Sequence, residues 1–243
     1  GIRDGDSLLE FRRLLFRSLV LGEDDVLYVA DSNNRVIRKV SLAGEVTTMT
    51  GTREQMVAPL GVALGADGYV FVTDASHVLW RLTPSEGLRR LAGSSFEKGD
   101  LDGRGGQARF NYIPAVAVDA HGYAVVADHN NCTLRRVAPD GRVSTLAGRA
   151  GSRSSYDGMG QEARFTAPAA MAPGLKGEVY VADGNRIRVV SPQGEVTTLA
   201  VTGGTFGRLD GIALDRRGNV YAADRERHAV WRVSPEGEAV RLK

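Results

Sequence analysis

Five aspartates occupy equivalent places in the sequence, and a carboxylate can act as a general base, a nucleophile or a metal ligand. Each precedes a turn rich in Asn, Ser and Gly, where a carboxylate can accept backbone N–H bonds. A residue that serves one catalytic centre need not recur in every unit, whereas a residue that closes a turn in every unit must. We therefore predict no catalytic residue and interpret all five as structural turn aspartates: Asp31, Asp74, Asp128, Asp183 and Asp224.

Three of the four histidines follow a repeating aspartate, so a metal centre is the second chemistry to consider. His77, His129 and His228 come three, one and four residues after the aspartate of their unit, which predicts that they share one side of the molecule. Zinc needs ligands that converge on one point, and the unequal offsets argue against convergence. We predict no metal and no cofactor, and keep these three histidines as the alternative metal site. Cys132 has no clear activating base beside it.

The aspartates belong to a repeated unit of about 40 to 55 residues, a length typical of propeller blades. The string that ends in Asp31 reads Tyr-Val-Ala-Asp, and the aspartates are 43, 54, 55 and 41 residues apart. Each unit contains four short runs of alternating apolar and polar residues separated by turn residues, which predicts four antiparallel strands. An arginine recurs near the end of the third run, where we expect a solvated face or packing of its aliphatic stem between blades: Arg38, Arg81, Arg136 and Arg232.

We predict an all-β fold, a β-propeller of four-stranded antiparallel blades with five blades in this chain. Isolated small sheets would leave too many open strand edges, and a propeller removes most of them. The whole of residues 1–243 is expected to form one domain, with units at approximately 1–51, 52–93, 94–148, 149–200 and 201–243. The alternative is that these are five blades of a six-bladed ring.

The repeat resembles the NHL repeat family. The resemblance rests on Asp-x-x-Gly-x-Val-Tyr-Val-Ala-Asp, on Asn-x-Arg-Ile-Arg-x-Val and on Gly-x-Val-Thr-Thr-Leu-Ala-Gly, recurring through essentially the whole chain. Two longer bridging segments also resemble those of one NHL subgroup: Gly99 to Phe110 and Asp157 to Phe165. The residues from Asp4-Gly5 to Phe11 match the same pattern. The paired residues Ala108/Phe110 and Ala163/Phe165 predict that these segments are anchored between blades.

The amino-acid composition excludes few functions, but it indicates which partners and which location to expect. The 31 Lys and Arg residues against 29 Asp and Glu give a formal charge of +2, so nucleic-acid binding is possible but not favoured. No apolar run approaches the length needed to span a bilayer, and no membrane association is expected. The single cysteine and the lack of a secretory pattern favour an intracellular location. Because Gly1 stands where an initiator Met would be, we expect a piece of a longer chain.

The sequence favours a non-catalytic protein-interaction or scaffold module that binds through one propeller face. That face should carry the bridging segments and the turns between second and third strands. The candidate partner-binding residues are Arg149, Arg153, Tyr156, Arg104, Arg35, Arg225 and Arg227. The resemblance implies two alternatives: a propeller enzyme of the metal-dependent lyase or lactonase type with an axial site, and an RNA-binding NHL domain. A small-molecule ligand is not favoured.

Overall fold

The computed structural model describes residues 16–22, 25–49, 52–65, 67–83, 87–95 and 97–242. Over these ranges the regular structure is β-strand, apart from three 3-10 turns at Gly105–Gln107, His129–Asn131 and Gly160–Glu162. No helix within those ranges is long and apolar enough to cross a membrane. The expected bridging pattern at Asp4 to Phe11 lies outside the described residues.

The strands form five sheets, each built on a meander of four consecutive antiparallel strands. This confirms the predicted all-β architecture of five four-stranded blades. Blade one contains β1 Phe16–Leu21, β2 Leu27–Asp31, β3 Val36–Val40 and β4 Val46–Thr48. Blade two contains β5 Pro59–Leu64, β6 Val70–Asp74, β7 Val78–Thr83 and β8 Gly87–Gly93. Blade three contains β10 Val116–Val118, β11 Ala124–Asp128, β12 Thr133–Val137 and β13 Arg142–Gly148. Blade four contains β15 Pro168–Pro173, β16 Val179–Asp183, β17 Arg186–Val190 and β18 Glu195–Thr198. Blade five contains β19 Leu209–Leu214, β20 Val220–Asp224, β21 Ala229–Val233 and β22 Ala239–Leu242.

The core lies between blades, because alternate side chains of a strand point to opposite faces of its sheet. We call the side that points to the next blade along the chain the forward face, and the other side the backward face. Val126 of blade three lies on the backward face and packs with Phe71 and Leu79 from the forward face of blade two. The second-strand residues that point to the backward face are buried in every blade: Val29, Val72, Val126, Val181 and Ala222.

The two bridging segments, residues 94–110 and 149–165, run along the outer edges of blades three and four. β9 Gly103–Arg104 pairs with β13, and β14 Gly158–Met159 pairs with β18. Each segment then turns back between two blades. Its Ala and Phe side chains are fully buried there, as the sequence predicts: Ala108, Phe110, Ala163 and Phe165.

Glycine ends the outer strand where a bridging phenylalanine approaches the backbone. Gly148 has φ of 89°, in the left-handed region that glycine adopts without strain. A Cβ there would lie 2.6 Å from the carbonyl oxygen of Cys132 and 3.0 Å from Cδ2 of Phe165. The Leu-Ala-Gly string therefore closes the strand and leaves space for the ring of Phe165.

The arginines of the third strand do not share one environment, which corrects the sequence expectation. Arg38 is buried, whereas Arg81 and Arg136 lie one register position later and place their guanidinium groups over Tyr69 and Tyr123. Arg232 is exposed. The register position of Arg38 is taken in the other blades by Trp80, Arg135, Arg188 and Trp231, all buried.

We expect Phe165→Ala to lower the free energy of unfolding by about 3–5 kcal/mol, because it removes a fully buried ring and leaves a cavity. The matched control is Leu175→Ala, in an exposed turn, which should change stability by less than about 0.5 kcal/mol. Urea denaturation of both variants measures the difference. Equal midpoints for the two would show that the bridging segment is not anchored by its phenylalanine.

Candidate functional site

The repeating aspartate of each blade is buried at the end of the second strand, and in blades two to five it binds the segment that leads into the same blade. Asp74 accepts N–H bonds from Val57 and Ala58, both at 2.9 Å. Asp183 accepts the same pair of bonds from Thr166 and Ala167, at 2.8 and 2.6 Å. The donors lie 16 or 17 residues upstream, which the sequence analysis did not foresee.

Bonds from the following turn, which were the prediction, are present only in some blades. Asp74 accepts one from the Ser76 N–H at 2.7 Å, and Asp224 accepts one from the Arg227 N–H at 3.0 Å. The backbone N–H that bonds to Asp128 is instead the upstream one of Asn111, at 2.8 Å. The carboxylate therefore joins two distant segments rather than only closing a hairpin.

In blades three and four the aspartate also pairs with a fully buried arginine. Arg135 Nη1 donates to Asp128 at 2.9 Å, and its Nη2 donates to Asp102 of the bridging segment at 2.5 Å. Arg188 repeats this arrangement with Asp183 at 3.2 Å and Asp157 at 2.8 Å. The arginine thus ties the blade to the segment that crosses its edge.

Backbone carbonyl groups accept further hydrogens from the two terminal guanidinium nitrogens, whereas Nε of each arginine has no hydrogen-bond partner among the described residues. Arg135 donates to the oxygens of Arg109 and Leu101, at 3.1 and 2.9 Å. Arg188 donates to those of Arg164 and Tyr156, at 2.9 and 2.8 Å. A buried cation is tolerated only when it is paired and hydrogen-bonded in this way.

Electrostatics differ between the two carboxylates that meet each arginine. Burial raises the pKa of Asp128 and of Asp183 above the ordinary value, against the opposing effect of their hydrogen bonds and arginine partners. Burial also acts to raise the pKa of Asp157. Its bonds from Thr198 and Arg188 outweigh this effect and hold that pKa below the ordinary range.

The three candidate histidines do not come together. His77 Nδ1 accepts the N–H of Tyr112 at 3.0 Å, and His129 Nδ1 lies 2.9 Å from the carbonyl oxygen of Pro168. His228 is exposed in the turn of blade five. Across the described part of the chain, no three His, Cys, Asp or Glu side chains are grouped so that they could hold a metal ion. Cys132 is buried, and burial raises the pKa of its thiol.

A cavity of about 320 Å³ opens near the propeller axis beside His129. A carbonyl oxygen can only accept, so His129 Nδ1 carries the proton and Nε2 keeps its lone pair. Burial lowers the pKa of this histidine and favours the neutral ring. The other polar residues that line the cavity are Tyr112, Arg208, Asp210 and Arg225.

The candidate partner-binding residues separate into three locations. We call the edge of the propeller with the second-to-third strand turns and the ends of the outer strands the turn face. Arg35, Arg149, Arg153, Arg225 and Arg227 are exposed there. Tyr156 is exposed along the outer rim, where it pairs with Arg164. Arg104 lies on the opposite face, where its Nε bonds the carbonyl oxygen of Asp140 at 3.2 Å.

Positive charge on the turn face extends beyond the residues that the sequence singled out. Arg186 begins β17, and Arg208 immediately precedes β19; both are exposed. Arg208 and Arg225 each bond to Asp210, at 3.0 and 3.3 Å. Arg149, Arg153 and Arg186 form no ion pair with any described residue. Arg186 and Arg208 could not be identified from the sequence, because only the fold shows which strand ends lie at this face.

The meander of four strands repeated around an axis defines the class of protein as a β-propeller, and solved structures agree. Virginiamycin B lyase from Staphylococcus aureus superposes with a TM-score of 0.65 and 13% identity, over 94% of this chain and 69% of that one. A chain of a nidogen/laminin complex gives a TM-score of 0.66 and 18% identity, over 91% of this chain and 76% of that one. At these identities the likeness concerns the fold alone.

Sequence comparison finds similarity to proteins with NHL repeats. The model of the Teneurin NHL domain matches residues 142–240. NHL repeat-containing protein 2 from Bos taurus is 26% identical over 281 aligned residues, which cover 89% of this chain. The chain is similar to NHL-repeat proteins over most of its length, and it spans 38% of the length of that relative.

We expect Asp128→Ala to cost about 3–5 kcal/mol of unfolding free energy, because it leaves buried Arg135 with a single, half-exposed carboxylate. This exceeds the 1–2 kcal/mol or so that loss of a simple turn bond would cost. Chemical denaturation is the measurement, with exposed Asp100→Ala as the control. A loss of only about 1 kcal/mol would mean that the pair with Arg135 contributes little.

Proposed function

We propose that this propeller is a protein-interaction module that binds an acidic surface of its partner through the turn face. The observation that carries the proposal is a group of six exposed arginines on blades three to five, which we call the arginine face: Arg149, Arg153, Arg186, Arg208, Arg225 and Arg227. Arginine is enriched at protein interfaces, where its planar group binds carboxylates in two-pronged fashion.

The net charge of +2 conceals an uneven distribution. The turns of the opposite face contribute carboxylates in every blade: Asp25, Glu45, Asp67, Asp119, Asp140, Glu178, Glu195, Asp215, Glu236 and Glu238. These carboxylates outnumber the basic residues of the same turns, which include Lys176, Arg216 and Arg217. The imbalance favours the approach of an acidic partner from the turn face. Such complementarity raises association rates and selects orientation.

The arginine face is held by rigid structure, which reduces the entropy lost on binding. Arg149 and Arg153 begin the bridging segment 149–165, whose far end is anchored by buried Phe165. Arg227 Nη1 donates to the hydroxyl of Thr205 at 2.9 Å. The side chains are therefore presented on an ordered surface.

The structural neighbours support more than one role, because one fold can carry unrelated functions. One similar chain belongs to a complex of nidogen and laminin, and another is virginiamycin B lyase. The charge distribution of this chain, rather than its fold, is what favours interaction.

The test compares two matched pairs of charge reversals. Arg149→Glu/Arg153→Glu alters the arginine face, and Arg216→Glu/Arg217→Glu alters an exposed turn of the opposite face. In a pull-down from the native source, we expect the first pair to reduce partner recovery at least tenfold and the second to leave it unchanged. Both pairs should keep the wild-type melting temperature, since all four side chains are exposed.

Nuclease treatment separates a protein partner from RNA. Recovery that persists after nuclease and falls with added salt supports an acidic protein surface. Recovery that nuclease abolishes would assign the arginine face to RNA instead. Loss of the partner only with Arg216→Glu/Arg217→Glu would move the binding site to the opposite face.

A second candidate function is an enzyme with an axial site, favoured by the neutral His129 whose Nε2 has no bonding partner among the described residues. Such a ring can accept a proton from water or substrate.

If the chain hydrolyses small lactones, His129→Gln should reduce turnover by about 10²-fold or more, the usual contribution of a general base. A chain without lactonase activity above the buffer rate would contradict this candidate.

A further inference from the structure

The cavity near the propeller axis is lined in part by the arginine face, because blade five supplies Arg208 and Arg225 to its wall. The remaining walls come mainly from blades two to four: Leu60, Tyr112, Pro114, His129 and Ala169. The other four arginines of the face lie outside this lining. A volume of about 320 Å³ is at the small end of the usual range for ligand pockets, so the cavity has room for one side chain or one small acid.

One carboxylate in the wall, that of Asp210, orients both arginines. Arg208 donates to it through Nε at 3.0 Å, and Arg225 donates to it through Nη1 at 3.3 Å. The two terminal nitrogens of Arg208 have no hydrogen-bond partner among the described residues. The side chains of Arg208 and Arg225 are 55% and 71% exposed, so a ligand can reach them. Two guanidinium charges against one carboxylate leave the group with a single excess positive charge.

His129 is held in the same cavity with a fixed ring orientation. Its Nδ1 donates to the carbonyl oxygen of Pro168 at 2.9 Å. The ring of Tyr112 packs edge-on against it, with 5.5 Å between the ring centroids. The other ring nitrogen, Nε2, is therefore the one that remains for a ligand.

We propose that the cavity receives one carboxylate side chain of the partner, which is bound by the two terminal nitrogens of Arg208 and by Arg225, beside His129. This inference rests on the proposed function, because it names the group through which an acidic partner enters the arginine face. A guanidinium binds a carboxylate through two parallel N–H···O bonds, and Asp210 already holds Arg208 in one orientation. The single excess charge matches a carboxylate better than a phosphorylated side chain, which carries about two negative charges.

Binding of a carboxylate at this place is coupled to protonation of His129. A carboxylate oxygen and an unprotonated Nε2 are both acceptors, whereas a protonated Nε2 donates to the carboxylate. In the free protein burial is the main cause that lowers the pKa of His129; Arg153 and Arg208 lower it further, while the Pro168 bond and Asp183 act to raise it. A bound carboxylate adds a negative charge and raises this pKa. The affinity therefore increases as the pH falls through the range between the pKa of the complex and that of the free protein.

The first experiment measures calorimetrically the binding of a synthetic peptide in which glutamate and serine alternate, with both ends blocked. The same peptide with glutamine in place of glutamate is the control ligand. Arg208→Gln should weaken binding of the glutamate peptide by about tenfold or more, the usual effect of losing a hydrogen bond between charged groups. Arg186→Gln removes the same charge from the same face but outside the cavity, and it should weaken binding by less than about threefold. Both variants should keep the wild-type melting temperature, since both side chains are exposed.

The second experiment follows the imidazole resonances of His129 by NMR from about pH 8 to about pH 5.5, where glutamate is still ionised. We expect the glutamate peptide to raise the pKa of His129 and to bind more tightly at the lower pH. His129→Gln should abolish that gain in affinity, because glutamine does not titrate. Free glutarate, a small acid with no peptide attached, is the competing ligand.

Three results would overturn the inference. Equal weakening by Arg208→Gln and Arg186→Gln would show that the arginine face binds acidic groups as a whole, which leaves the proposed function intact and removes the role of the cavity. A pKa of His129 that does not respond to the glutamate peptide would do the same. A response of His129 to glutarate but not to the peptide would assign the cavity to a free small acid. Failure of the glutamate peptide to bind any better than the glutamine peptide would contradict the proposed function itself.

Discussion

A carboxylate that is buried at the end of the second strand is the group on which the geometry of each blade depends. Asp183 joins the strand that carries it to the N–H groups of Thr166 and Ala167, and it pairs with Arg188. Without Asp183, buried N–H groups and a buried guanidinium would lose a partner. Leaving such a buried group unpaired destabilises the fold by more than the hydrogen bond stabilises it. The arrangement of the first strand, the third strand and the incoming segment follows from that one side chain.

In blades three and four the arginine partner and the long bridging segment occur together, and in blade one Asp31 also pairs with a buried arginine, Arg38. Blades three and four have Arg135 and Arg188, and their bridging segments supply Asp102 and Asp157. Blade five has Trp231 at this register, and its indole Nε1 donates to Asp224 at 3.3 Å. A single acceptor satisfies an indole, whereas a guanidinium has five N–H groups to satisfy, so only the arginine blades need the additional carboxylate and carbonyl groups.

The fold was predictable because the same pattern of strands and turns occurs five times in the sequence. The agreement among the five copies compensates for the ambiguity of any single strand. The buried arginines were not predictable, because Arg135 and Arg136 are adjacent in sequence. Only the register of the sheet decides which of the two side chains points into the interior. The Asp-Gly strings of the bridging segments were visible in the sequence. Their partner in the third strand was harder to infer, because the arginine follows the aspartate by seven residues in Asp31–Arg38 and Asp128–Arg135 but by five in Asp183–Arg188.

The short strands β9 and β14 have a consequence for how the protein behaves at high concentration. The outer strand of a propeller blade is a sheet edge with unpaired N–H and C=O groups, a template on which another chain can add a strand. In blades three and four, two residues of the bridging segment occupy part of that edge. Blade two has no such cover in the described residues, but Arg89 and Arg90 on β8 place two charges along its edge. The chain thus limits edge-to-edge aggregation by two different means, a covering strand in some blades and charge repulsion in another.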